Sequence, residues 1–140
     1  MKVVLDTNVL VPALLSPYQP PARVLDLVLA GEVDAVIDDR IMAEYREVLA
    51  RPKFTFEEHA ADDLLVYLER AGITIMAPPL AAVLPDPDDC MFLEVAAAAQ
   101  ALLVSGNLRH YPAEQRHTVV VLSPSAFLDH WQQSNAPASQ

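Results

Sequence analysis

The sequence is poor in several residue types on which specialised folds depend. Its 140 residues contain one cysteine, Cys90, and three glycines, and aromatic residues make up 6%. A lone cysteine excludes an intramolecular disulfide and suits a reducing compartment. With so few glycines, a glycine-rich phosphate loop is absent. No apolar run reaches the length of a membrane span, and the single lysine before a short strand does not make a signal peptide. We therefore expect a cytoplasmic protein.

Positive charge is also scarce. Nine Lys and Arg residues stand against 19 Asp and Glu, which gives a formal net charge of −10. This balance opposes binding of nucleic acid by the whole surface, but it permits a nucleic-acid substrate where metal cations lie between acids and phosphates. It also favours a basic partner. The four histidines are scattered and show no zinc-ligand spacing.

Apolar residues are abundant and regularly arranged. They make up 53% of the chain, enough for one domain with a substantial core. Short apolar runs predict strands at 3–5, 34–37, 73–76, 102–105 and 119–122. Helical patterns follow Asp6, cover 22–30 and 41–51, extend from a capping-box pattern at 55–58 to Gly72, cover 90–99, and begin again at Ser123–Pro124. This alternation predicts a parallel α/β sheet with helices on both faces.

An acid follows the first strand directly. Asp6 comes after the apolar run Val3–Leu5, and its charge is costly beside a buried strand unless something pairs with it. Asp6 is either the N-cap of the next helix or an acid that faces a ligand at the carboxyl edge of the sheet, where α/β proteins build their sites. We favour the ligand-facing role.

A second acid lies on the inner face of a predicted helix. Glu44 is three residues after Ile41 and four before Val48, so it shares their apolar stripe. Such a glutamate needs a partner. From the pattern alone, an ion pair with Arg40 or Arg51 is as plausible as a role in a site.

The densest acidic cluster, Asp86-Pro87-Asp88-Asp89, precedes another helix. Capping and the helix dipole favour acids at a helix N-terminus, but a cap needs only one acid and this cluster has three. Asp89 is three residues before Phe92 and four before Leu93, which points it inward. Glu94 is predicted to be solvated. Asn107 follows the fourth strand as Asp6 follows the first, and it can cap a helix or offer a carbonyl ligand.

Three inward carboxylates, on Asp6, Glu44 and Asp89, cannot all stay ionised in one site without a cation. Oxygen ligands of this kind select Mg²⁺ or Mn²⁺. An acid-lined site of this type is suited to phosphoryl transfer. A haloacid-dehalogenase-type phosphatase also begins with an aspartate after strand one, but it needs a second aspartate where this chain has Asn8.

Four motifs in order make the chain resemble the PIN-domain family. They are Val-Leu-Asp-Thr-Asn-Val-Leu at 4–10, Glu44 within the segment 43–54, Asp-Pro-Asp-Asp with Phe-Leu-Glu at 86–94, and Val-Ser-Gly-Asn at 104–107. The branch most similar comprises toxin components of toxin–antitoxin systems, related to VapC-type toxins. The resemblance covers about residues 2–131, within one predicted domain at 1–133 that is followed by a disordered tail at 134–140.

This resemblance implies a Mg²⁺- or Mn²⁺-dependent ribonuclease on a three-layer α/β/α sandwich with a parallel five-stranded sheet. Asp6, Glu44 and Asp89 match the family's metal-binding acids. Asn107 stands where many members carry a fourth acid, so one tight metal site is expected rather than two. Thr7 and Asn8 are predicted to orient Asp6, and Asp86 is a weaker outer candidate.

The resemblance also implies an RNA substrate, an antitoxin partner and a homodimer. Candidate RNA contacts are Arg46, Arg51, Lys53, Arg109 and His110, each of which could equally be a solvated surface residue. The alternative to a ribonuclease is a PIN-fold module that binds RNA or a protein with little catalysis. The departure at Asn107 and the low positive charge favour that alternative.

Overall fold

A parallel sheet of five short strands organises the fold. The computed structural model describes residues 1–136, so 137–140, most of the predicted tail, lie outside the described residues. The elements are β1 (Lys2–Leu5), α1 (Thr7–Leu15), α2 (Pro20–Leu29), β2 (Asp34–Ile37), α3 (Asp39–Leu49), α4 (Ala60–Ala71), β3 (Ile73–Thr74), α5 (Cys90–Ala99), β4 (Leu102–Val104), β5 (Val121–Leu122) and α6 (Pro124–Ser134), with 3₁₀ turns at Pro87–Asp89, Leu108–His110 and Ala113–Gln115. No helix of the described chain is long and apolar enough to cross a membrane.

The strands lie in the order β3-β2-β1-β4-β5, and every neighbouring pair is parallel. β1 lies in the middle, and Val3, Val4 and Leu5 are at most 1% exposed. A central parallel strand is covered on both faces, which is why it reads as a continuous apolar run.

Helices cover both faces of this sheet. The connection from β1 to β2 and the connection from β3 to β4 run in opposite directions along the sheet. Because such crossovers are right-handed, α2 and α5 lie on opposite faces. α1 and α6 pack against α2, and α5 packs against β1, β2 and β4. The predicted α/β/α sandwich with a five-stranded parallel sheet is confirmed.

The chain reverses its direction of travel between β1 and β4. It first adds β2 and β3 on one side of β1, then crosses to add β4 and β5 on the other. The carboxyl ends of two such strands form a crevice where α/β proteins bind ligands. Leu5 pairs with Val104, so the residues that follow β1 and β4 meet at this crevice.

Several element boundaries differ from the prediction: β5 begins at Val121 instead of 119, for example, and the largest shift is that of α4. α4 begins at Ala60, not at the capping-box pattern at 55–58, and its N-cap is His59 with φ 66°. The rings of Phe54 and Phe56 stack with centroids 5.5 Å apart, and Phe56 packs against the core, so tertiary contacts hold this segment outside the helix. β3 is only two residues long because the chain then leaves the sheet for the proline-rich connector.

The prediction that Glu94 is solvated is wrong. Glu94 is 8% exposed, and its Oε1 accepts a hydrogen bond from Arg40 at 2.7 Å. Its Oε2 accepts one from the backbone N–H of Leu80 at 3.1 Å, and Arg40 also pairs with Asp38 at 2.8 Å. This buried charge network ties α3, α5 and the connector together.

Gly72, between α4 and β3, provides a test of the packing between α4 and β2. A Cβ at this position would lie inside contact distance of the Leu68 carbonyl oxygen and 3.3 Å from that of Ala35. Both are backbone atoms, which cannot turn away. We expect Gly72→Ala to lower the free energy of unfolding by about 2 kcal/mol. Urea denaturation measures this loss, and a change below about 0.5 kcal/mol would contradict the close packing.

Candidate active site

Asp6 lies at the crevice and serves two purposes. Its Oδ1 accepts a hydrogen bond from the backbone N–H of Asn8 at 3.3 Å, which caps α1. Its Oδ2 accepts from the Tyr111 hydroxyl at 2.7 Å and from the Ser105 hydroxyl at 3.1 Å. Asp6 is only 4% exposed. The two roles left open by the sequence therefore belong to different oxygens of one carboxylate.

Ser105 connects the ends of β1 and β4. Its hydroxyl has one proton, and the Asp6 carboxylate is a nearer and stronger acceptor than the Asn107 carbonyl oxygen at 3.3 Å. The Asn8 side chain donates to Ser105 Oγ at 3.3 Å and accepts from the Gly106 N–H at 2.8 Å. Asn8 thus contacts Asp6 through its backbone N–H and acts on it indirectly through Ser105.

Glu44 approaches the crevice from α3. Its Oε2 accepts a hydrogen bond from the Thr7 hydroxyl, so Thr7 orients Glu44 and not Asp6 as predicted. The Tyr45 hydroxyl donates to the carbonyl oxygen of Leu5, which fixes α3 across the end of β1. The alternative of an ion pair with Arg40 or Arg51 is wrong, because Arg40 pairs with Asp38 and Glu94, and Arg51 pairs with Glu47.

Asp89 is the acid whose surroundings are least complete. It ends the 3₁₀ turn before α5, makes no capping hydrogen bond with its side chain, and is 7% exposed. Its Oδ2 is buried and has no hydrogen-bond partner within residues 1–136. Burial, together with the charges of Asp6 and Asp86, raises the pKa of Asp89 to about 7. Burial also raises the pKa of Glu44, against the lowering effect of the Thr7 hydrogen bond.

Two other predicted residues act as caps. Asp86 is exposed, and its Oδ1 accepts from the Asp88 N–H at 3.0 Å. Asn107 is exposed, and its Oδ1 accepts from the Arg109 N–H at 3.2 Å, at the start of the 3₁₀ turn Leu108–His110. Of its two open roles, Asn107 therefore takes the capping one in this structure.

The candidate RNA-contacting cations are not gathered at the crevice. Arg46 pairs with Glu69 of α4, and it is two residues from Glu44, on the opposite side of the helix. Arg51 lies beyond the end of α3, where it pairs with Glu47, and Lys53 lies over the Phe54 ring. Arg109 is exposed in the 3₁₀ turn after β4, and His110, the next residue of that turn, lies against Asp89 at the crevice.

The acids have the chemistry of a Mg²⁺ or Mn²⁺ site, although within residues 1–136 no three Asp, Glu, His or Cys side chains already converge tightly enough to hold an ion. The buried, unpartnered oxygen of Asp89 and the carboxylates crowded beside it fit a cation that would complete their surroundings. None of the three acids forms an ion pair with a lysine or arginine in the described part of the chain.

The sequence analysis missed two residues that contact Asp6. Ser105 directly follows β4, just as Asp6 directly follows β1. The argument that singled out Asp6, a polar residue at the carboxyl end of a strand, would therefore also have singled out Ser105. Tyr111 follows an irregular turn, and no local pattern indicates that its side chain is fully buried against Asp6. Burial and the neighbouring charge of Asp6 raise the pKa of Tyr111, so its hydroxyl remains a donor.

Comparisons with known proteins identify the family and agree with the fold. The family model for the PIN domain matches residues 2–109. An uncharacterized protein of Methanocaldococcus jannaschii, MJ1680, is 27% identical over 110 residues, which are 76% of this chain and 71% of that protein.

Among solved structures, VapBC2 from Rickettsia felis bound to a DNA fragment from their promoter has a TM-score of 0.60 at 16% identity, covering 88% of this chain and 98% of that one. FitAcB from Neisseria gonorrhoeae has a TM-score of 0.55 at 16% identity, with the same two coverages. Because each of the two structures is only 16% identical to this chain, they establish similarity of fold alone.

The chain belongs to the PIN-domain family. PIN domains are generally nucleases, and divalent metals are typical of the family.

Proposed function

We propose that this protein is a Mg²⁺- or Mn²⁺-dependent endoribonuclease that hydrolyses RNA phosphodiesters. The observation that carries the proposal is the Oδ2 of Asp89, which is buried at the crevice next to the charge of Asp6 and accepts no hydrogen bond within residues 1–136. Membership of the PIN-domain family supports the same reaction class. The net charge of −10 supports a cation between protein and RNA, since bare acids would repel phosphates.

Asp6 and Asp89 would hold the ion, with Glu44 bound directly or through a water. A bound ion of this kind supplies positive charge to the phosphate oxygens and activates the attacking water. Tyr111 and Ser105 fix the Asp6 carboxylate in one orientation. Such neighbours determine how well a carboxylate serves as a ligand.

The remaining residues act on the water and the substrate. Glu44 is less buried than Asp6 or Asp89, and the Thr7 hydroxyl holds it in place. We therefore propose that Glu44 accepts the proton released by the attacking water. Asn107 can orient a water or donate to a phosphate oxygen through its amide nitrogen, because only its Oδ1 is used for capping. Arg109 would contact the phosphates of the RNA backbone. The scheme needs no covalent enzyme intermediate.

The proposal is tested with purified protein and a single-stranded RNA labelled at its 5′ end. Cleavage is expected with Mg²⁺ or Mn²⁺ and is expected to stop when EDTA removes the ion. Internal products of defined length would identify an endonuclease. If purified protein cuts no RNA with either ion, the ribonuclease proposal fails.

We expect Tyr111→Phe to weaken binding of Mn²⁺ about 10- to 100-fold, because Asp6 would lose its shortest hydrogen bond while the ring stays in place. Calorimetric titration with Mn²⁺ measures the change. Tyr67→Phe is the matched control, because its hydroxyl donates to the Val28 carbonyl oxygen at the end of α2, away from the crevice. Equal Mn²⁺ affinities in the two variants would show that Tyr111 has no positioning role.

We infer further that the ribonuclease is the toxin of a cytoplasmic toxin–antitoxin pair, with a basic antitoxin as partner. VapBC2 and FitAcB, the complexes similar in fold, support this inference, as does the acidic surface. Expression is expected to arrest growth, and co-expression of the neighbouring gene is expected to relieve it. Harmless expression of active enzyme would contradict toxin status. Light scattering of the purified chain tests the proposed homodimer.

One observation favours a second function. Asn107, which stands where many PIN domains have a fourth acid, caps a turn instead of presenting a charge. A module that binds RNA or protein with little catalysis would need fewer acids. Such a module would bind labelled RNA at an affinity unchanged by EDTA and would release no cleavage products. The ribonuclease would bind RNA less tightly in EDTA and would release cleavage products when Mg²⁺ or Mn²⁺ is present.

A further inference from the structure

His110 lies at the acidic crevice, although no zinc-like spacing marks it in the sequence. It is the last residue of the 3₁₀ turn after β4, and its side chain is 39% exposed. Its Nδ1 is 3.2 Å from Oδ2 of Asp89, the oxygen that lacks a hydrogen-bond partner in the described chain. The turn that follows β4 therefore brings an imidazole nitrogen to the crevice.

The contact is short enough for an ion pair with a protonated imidazole, but it does not have the geometry of a hydrogen bond. A different arrangement gives the same spacing. Two ligand atoms bound at right angles to one ion, each about 2.1 Å away, are about 3 Å apart. The Nδ1–Oδ2 separation therefore matches that of two atoms that share a cation.

We propose that His110 supplies a nitrogen ligand to this site, so that the protein prefers Mn²⁺ and later first-row divalent ions over Mg²⁺. The inference rests on the proposed function, since it assumes that Asp6 and Asp89 hold an ion. Mg²⁺ favours oxygen ligands, whereas imidazole nitrogen favours transition-metal ions. A site with one imidazole among its carboxylates therefore discriminates between ions that an all-oxygen site binds more evenly.

The test uses the full chain with Mn²⁺ and a spectroscopic readout. Electron spin-echo envelope modulation detects nitrogen bound directly to Mn²⁺. Wild-type protein is expected to show ¹⁴N modulation. His110→Asp replaces the nitrogen with an oxygen ligand, so it should bind Mn²⁺ without that modulation. Its ratio of Mg²⁺ to Mn²⁺ affinity, from calorimetry, is expected to rise about 10-fold or more.

His130→Ala is the matched control, because His130 is exposed on α6 and its imidazole forms no hydrogen bond or ion pair in the described chain. This variant should keep the ¹⁴N modulation. Wild-type protein that binds Mn²⁺ without ¹⁴N modulation, or His110→Asp protein that retains it, would overturn the role of His110 and leave the ribonuclease proposal standing. Wild-type protein that binds neither ion would overturn both.

Discussion

Asp6→Asn is expected to reduce Mg²⁺- or Mn²⁺-dependent RNA cleavage about a thousandfold. Asparagine keeps the size of the side chain but removes the negative charge that would hold the ion. Loss of electrostatic stabilisation worth several kcal/mol corresponds to about this factor in rate. The measurement is single-turnover cleavage of labelled RNA at saturating ion concentration.

The folded state should tolerate this change. The introduced asparagine can still cap α1 through its side-chain oxygen, and the Tyr111 and Ser105 hydroxyls can turn to accept from its amide. Without an ion, loss of the Asp6 charge also relieves its repulsion with Asp89 and Glu44, because that charge helps to raise the pKa values of both. The melting temperature without metal should therefore stay level or rise.

Asp39→Asn is the control for this prediction. Asp39 is an exposed acid in the first turn of α3, outside the crevice, so its replacement should leave cleavage within about twofold of wild type. If Asp6→Asn retained more than about a tenth of wild-type activity, Asp6 would not be a ligand on which catalysis depends.

Arg40→Ala is expected to lower the free energy of unfolding by about 3 kcal/mol. It removes the arginine that pairs with Glu94 at 2.7 Å and leaves that glutamate charged and 8% exposed. Breaking a buried pair in this way costs about 3 to 5 kcal/mol, and the low end applies because the Arg40 side chain is 48% exposed. Urea denaturation with linear extrapolation measures the loss.

Two further variants test the cause. Arg51→Ala breaks the exposed pair with Glu47 on the same helix and should cost less than about 1 kcal/mol. The double variant Arg40→Ala with Glu94→Gln should be more stable than Arg40→Ala alone. In it, the buried charge of Glu94 is no longer present, and glutamine can still accept from the Leu80 N–H. If Arg40→Ala cost no more than Arg51→Ala, burial of the Glu94 charge would not depend on Arg40.

The sequence failed where contacts between distant residues override local pattern. The pattern around Phe92 placed Glu94 in solvent, but the packing of α5 against α3 and the connector encloses it with Arg40. The capping-box pattern at 55–58 favours a helix start locally, yet the packing of Phe56 against the core keeps that segment out of α4. Neither the burial of Glu94 nor the packing of Phe56 has a periodic signature in the sequence.

The sequence by itself determined the fold class and the inward positions of Asp6, Glu44 and Asp89. Those properties follow from apolar periodicity and from acids placed directly after strands or on buried stripes, all of which are local. The tertiary structure decided the surroundings of those acids. Thr7 donates a hydrogen bond to Glu44, and Ser105 and Tyr111 donate hydrogen bonds to Asp6. His110 contacts Asp89. Strand order and the path of the turn after β4 bring these side chains together from up to 105 residues away, and spacing along the chain does not encode that meeting.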